Sequence, residues 1–154
     1  MKFSASLLAL AVVVIALPLI GNFKAARTNP ILDPGRTIEA HMAIPENVHL
    51  ILRRSCYDCH SNETHWPWYA GLPGISGVVQ ADVRRARKRL NLSDWSAKLG
   101  EGQDEAHASL NGICEELRSD SMPISKYRWM HPNAALSASE VDSVCAWTAD
   151  AQKH

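Results

Sequence analysis

Apolar residues recur at helical spacing in successive stretches of this chain, and no stretch alternates at period two for long enough to make a convincing strand. In the first stretch Val48, Ile51, Leu52, Ser55 and Cys59 fall on one face, and Pro45 suits the first turn. This predicts a helix that runs into Cys59 and His60. Residues 61–74 carry Pro67, Gly71, Pro73 and Gly74 and read as loop. A second helix follows, with Val79, Val83, Ala86 and Leu90 on one side and Arg84, Arg85, Arg87, Lys88 and Arg89 on the other. A third, over 104–119, aligns Ala106, Leu110, Ile113, Cys114 and Leu117. The stretch "SDSMPISKYRWMHPNAA" reads as loop. The last helix starts at Ser137, where Ser137 and Glu140 form a capping box and Leu136 with Val141 a hydrophobic staple. Its apolar face is Val141, Val144, Cys145 and Thr148, with Trp147 alongside. The pattern predicts an all-α domain over 45–154, large enough for one small core.

Two segments precede that domain. Lys2 is followed by an unbroken apolar run, Phe3 to Ile20, which makes residues 1–23 a signal anchor or a signal peptide. The sequence after the run offers no good small-residue cleavage site, so a retained anchor is favoured, with the membrane as a partner. Either reading places the rest of the chain outside the cytoplasm, where disulfides persist. Residues 24–44, with Pro30 and Pro34 and little periodicity, read as an extended tether or strap between membrane and domain, or as a plain linker.

Composition adds one exclusion. Sixteen Lys and Arg balance 16 Asp and Glu, so bulk charge gives no reason to expect nucleic acid as a partner. The basic face at 84–89 suits an acidic redox partner or lipid head groups, although a solvated helix face is the commoner explanation.

The chemistry concentrates in "SCYDCHSNETHWPWY". Cys56, Cys59 and His60 form C-x-x-C-H, the attachment pattern of c-type haem. Two thiols about one helical turn apart can each add to a vinyl group on one porphyrin edge. The adjacent His60 then lies under the iron as proximal ligand. Two rivals share the pattern. Zinc would need more ligands, and Cys114 and Cys145 lie apart on the apolar faces of separate helices. A thiol oxidoreductase would place C-x-x-C at the start of a helix in a βαβ setting, where the dipole lowers the thiol pKa.

A haem with one histidine ligand has an open face. Methionine closes it in many small cytochromes c and raises the potential. Met122, followed by Pro123 in the loop after the third helix, is the leading candidate; Met130, His131, His65 and His107 are rivals. The order (Cys/His motif, helices, Met-Pro loop, final helix) matches the class I cytochrome c plan. In that plan a backbone carbonyl in a proline-bearing loop holds the other nitrogen of the proximal histidine, which points to Pro73. Asn62, Trp66 and Trp68 are placed to pack on the haem or simply to fill rim and core. Cys114 and Cys145 can pair as a disulfide or remain two buried thiols.

The stretch "CYDCHSNETHWPWYAGLPGISGVVQADVRRARKRLNLSDW", a Met-Pro loop, "HPNAALSASE" and a tryptophan-bearing last helix together resemble the bacterial haem-binding domain family. The resemblance covers about residues 28–150, and the aromatic extension W-P-W-Y within S-N-E-T-x-W-P-W-Y is far more specific than C-x-x-C-H alone. It implies a cytochrome c-like fold, one covalent haem c on Cys56, Cys59 and His60, and Met122-Pro123 at the family's Met-Pro pair. Ile124 departs from the second proline that the family commonly carries, and Cys114 and Cys145 lie outside its pattern. The expected function is single-electron transfer with redox partner proteins, without catalysis, on the periplasmic side of a bacterial inner membrane. The alternative is a haem-based sensor or peroxide-reacting protein with an open or displaceable distal site.

Overall fold

A computed structural model describes residues 27–153. The apolar run read as an anchor within 1–23 lies outside the described residues. Among the described residues no helix is long and apolar enough to cross a membrane. Their regular structure is all helical, with no strand among the described residues, as the periodicity predicts. Eight α-helices follow one another: α1 (Ile38–His41), α2 (Glu46–Ser55), α3 (Tyr57–His60), α4 (Ile75–Arg89), α5 (Trp95–Glu101), α6 (Gln103–Arg118), α7 (Ser125–Met130) and α8 (Ala138–Ala151). Short 3-10 turns at Pro34–Arg36, Trp68–Gly71, Leu92–Asp94 and Pro132–Ala134 join them.

The core forms where the apolar stripes meet. Helices α6 and α8 lie side by side, and α2 packs across α8. Val48, Leu52, Leu92, Trp95, Leu110 and Val144 are essentially inaccessible there. Each such aliphatic side chain stabilises the fold by roughly 1.5–3 kcal/mol relative to exposure. The capping box at the start of α8 is present. Ser137 Oγ accepts from the Glu140 N–H at 3.3 Å, and a Glu140 carboxylate oxygen accepts from the Ser137 N–H at 2.8 Å. Cys114 and Cys145, left open by the sequence, form a disulfide that clips α6 to α8.

Four expectations need correction. The stretch 119–135, read as loop, carries helix α7 and the 3-10 turn Pro132–Ala134. The described part of the 24–44 segment is not a free tether. Ile38 is 0 % exposed in the core, Arg36 donates to Asp94 at 2.6 Å, and Asn29 donates to the Thr64 carbonyl at 3.0 Å. Pro45, expected in the first turn of α2, is its N-cap, one residue before Glu46. The helix expected to run through Cys59 breaks at Cys56, whose φ of −122° leaves the helical range. The chain restarts as α3, with the Cys59 and His60 N–H groups both donating to the Cys56 carbonyl, at 3.1 and 2.9 Å.

Candidate functional site

Cys56 stands at the break between α2 and α3, and Cys56, Cys59 and His60 all line one cavity of about 720 Å³. That size suits a cofactor site. Helix α2 contributes Leu52, α4 lies along one wall with Ala86, and α6 supplies Ile113 and Leu117. The loop after α6 supplies Met122, Pro123 and Ile124, and α7 adds Tyr127. Arg85, Lys88 and Arg89 also line it, all on α4.

The segment after the motif holds it in place through its own side chains. Ser61 Oγ donates to the Tyr57 carbonyl at 2.8 Å, Thr64 Oγ1 donates to the Asp58 carbonyl at 2.7 Å, and the Asn62 N–H donates to Ser93 Oγ at 3.0 Å. Arg87 crosses from α4 to bind the Ser61 carbonyl at 2.7 Å and Thr64 Oγ1 at 2.8 Å. Three of these bonds satisfy the backbone carbonyls of Tyr57, Asp58 and Ser61, which a four-residue helix leaves without partners.

His60 Nδ1 lies 3.0 Å from the Leu90 carbonyl. A carbonyl only accepts, so Nδ1 carries the proton and Nε2 is left as the ligating nitrogen. Burial holds the imidazole below its usual range, against the Leu90 hydrogen bond, so it is neutral near pH 7. The expected acceptor was the loop around Pro73. The actual one caps the end of α4, because Leu90 leaves the helix with an extended backbone and its carbonyl is free to turn toward α3.

Cys56 and Cys59 are free thiols. Burial pushes Cys56 up to about 12, with the neighbouring Cys59 adding to the rise. Burial, then the carboxylates of Asp58 and Asp82, push Cys59 up to about 11. Two neutral thiols are the opposite of the thiolate that a disulfide oxidoreductase needs. Zinc is also disfavoured. Cys114 and Cys145 are consumed in their disulfide, and among the described residues no group of three or more His, Cys, Asp or Glu is gathered to hold a metal ion.

Met122 lines the same cavity, held by its N–H donating to the Glu116 carbonyl at 3.1 Å. The rivals are elsewhere. His131 shares a 2.7 Å hydrogen bond with the Tyr69 hydroxyl and stacks on Tyr127 at 4.3 Å, and neither His131 nor Met130, His65 or His107 lines the cavity. Trp66, Trp68 and Asn62 do not line it either, and Trp68 is 76 % exposed. Asp58 and Tyr127 escaped the sequence reading. Asp58 sits inside the motif at a position the pattern treats as a spacer, and its Oδ2 accepts from the Tyr127 hydroxyl at 2.7 Å.

The lining fits a haem. It combines two thiols, one neutral imidazole, a thioether, apolar walls and three basic side chains suited to carboxylates, which outnumber the acidic Asp82 and Glu116. Comparison with known proteins agrees. Residues 13–150 match the haem-binding domain family. The chain belongs to that family. The cytochrome c peroxidase Ccp of Escherichia coli (strain K12) is 26 % identical over 110 residues, which cover 70 % of this chain and 24 % of that protein. The chain thus spans about a quarter of that relative's length. No solved structure matches the chain significantly.

Proposed function

We propose that this haem-binding protein is a mono-haem c-type cytochrome with a cytochrome c-like fold that transfers single electrons. The observation that carries the reading is the shared cavity: Cys56, Cys59, His60 and Met122 line one apolar space, although Met122 stands far from the others in sequence. Cys56 and Cys59 would hold the macrocycle through thioethers, His60 Nε2 would be the proximal ligand, and Met122 Sδ the distal one. A bound haem would supply a one-electron iron couple, which a methionine ligand would move to higher potential. The chain's own residues orient the imidazole through Leu90, keep water from the apolar wall and present Arg85, Lys88 and Arg89 to carboxylates. The N-terminal apolar run supports export, with tethering on the periplasmic side of a bacterial inner membrane, and redox proteins would be the partners.

The deciding experiment is expression with the chain's own N-terminal segment in a host that matures c-type cytochromes. An intact mass increased by one haem that survives denaturation, with an alkaline pyridine spectrum of the c type, is the expected result. Haem lost on denaturation would overturn covalent attachment. A second reading, a peroxide-reacting protein, draws support from the name of the Escherichia coli relative. Against it, His60 is the one histidine among the described residues lining the cavity. Reduced protein that binds carbon monoxide rapidly, or turns over peroxide, would favour this second reading.

A further inference from the structure

Helix α7 is only six residues long and has no side-chain cap, so it cannot hold itself in place. Three successive residues tie it down. Lys126 pairs with Asp82 on α4 at 2.7 Å, and Arg128 pairs with Asp120 in the preceding loop. Both of these pairs include an exposed partner and are weak holds in water. Tyr127 is different. Its hydroxyl donates at 2.7 Å to Asp58, which is 69 residues away in sequence and lies between the two motif cysteines. The bond is partly buried and its acceptor is charged, the stronger class of hydrogen bond. The ring is braced on its other side by His131, stacked at 4.3 Å with 19° between planes, and His131 is held in turn by Tyr69. Met122 lies between two fixed points: the Glu116 carbonyl before it and Tyr127 after it.

We propose that Tyr127 is a positioning residue for the distal side of the site: its hydroxyl, seated on the Asp58 carboxylate, keeps the Met122 loop shut across the cavity. Asp58 thereby couples the segment that carries the proximal histidine to the loop that carries the methionine. The inference rests on the reading of Met122 as distal ligand. An external ligand reaches the iron only when the loop opens, so its apparent affinity scales with the open fraction.

The test is imidazole titration of the ferric holoprotein, followed by the near-infrared sulfur-to-iron band and the Soret band. Tyr127→Phe keeps the ring and its stack and removes only the hydroxyl. It should bind imidazole about tenfold or more tightly than the native protein, as loss of a hydrogen bond to a charged group implies. Asp58→Asn, which keeps a neutral acceptor, should give an intermediate gain. Trp129→Ala, on the same helix and 82 % exposed, should change nothing. Tyr127→Phe or Asp58→Asn within about twofold of native, while Met122→Ala binds more tightly, would overturn the proposal. If Tyr127→Phe fails to take up haem, Asp58→Asn decides; failure of both to load would overturn it in favour of a role in folding. If native and Met122→Ala proteins bind imidazole equally, the distal-ligand reading fails on its own. The hold on the loop is then read from amide exchange of residues 119–124. Faster exchange in Tyr127→Phe supports it, and unchanged exchange overturns it.

Discussion

Removal of the Cys114–Cys145 disulfide should cost stability and leave the site's chemistry alone. The bridge joins α6 to α8 across a Cα–Cα distance of 4.9 Å and spans 31 residues of sequence. A cross-link of that span removes about 12 cal/mol/K of entropy from the unfolded chain on the loop-closure relation, or roughly 3.7 kcal/mol near room temperature. Cys145 is buried and Cys114 half-buried, so Cys→Ala at both positions leaves little new cavity and the unfolded-state effect dominates. At about 4 °C per kcal/mol for a domain of this size, the melting temperature should fall by about 15 °C. The assay is guanidinium unfolding of the holoprotein, native against Cys114→Ala/Cys145→Ala, followed by tryptophan fluorescence and by the Soret band. The expected outcome is a loss of about 3–4 kcal/mol with both probes coincident and the native Soret maximum unmoved. A loss under about 1 kcal/mol would refute the entropic argument. A shifted Soret maximum would refute the expectation that the site is left alone, and the route of the disturbance would be Ile113 and Leu117, which flank Cys114 and line the cavity.

Other outcomes follow from single contacts. Arg87→Ala, which strips the Ser61 carbonyl and Thr64 of a shared donor, should lower stability by about 2–3 kcal/mol in denaturant titration, and Arg87→Lys should not restore it because one ammonium cannot reach both. Ser137→Ala should cost about 1 kcal/mol by the same assay, through loss of the α8 cap. The Ser137 N–H, then Arg54, hold the Glu140 carboxyl below its usual range. That contribution is complete above the unfolded value of about 4.3 and is lost as pH falls through the depressed folded value. Glu140→Gln should therefore flatten the acid limb of a stability-against-pH profile. Met122→Ala should lower the reduction potential measured by spectroelectrochemistry and open the reduced protein to carbon monoxide.

The long helices were legible because each spans enough turns to show its period, and the α8 start because its cap is written in side chains. The short ones, α1, α5 and α7, run only four to seven residues. Two turns or fewer cannot display a stripe, and their order comes from packing. Leu90 was out of reach for another reason: its part is played by a backbone carbonyl, which carries no side-chain identity. Asp58 was hidden by the motif itself, since its partner Tyr127 is 69 residues distant and no local pattern pairs them. Arg87 is the instructive case. Counted with its neighbours it belongs to a solvated basic face. Yet Ser76, Gln80 and Val83 are the buried residues of α4, and the steps of four and three that join them continue through Arg87 to Leu90. An arginine that falls on the buried stripe of a helix must either be expelled or be given acceptors. Here the acceptors are the Ser61 carbonyl, the Thr64 hydroxyl and the Asn29 side-chain carbonyl. The residues after C-x-x-C-H and the arginine facing them are thus one device. It fixes the four-residue helix that carries Cys59 and His60, which its own hydrogen bonds are too few to hold.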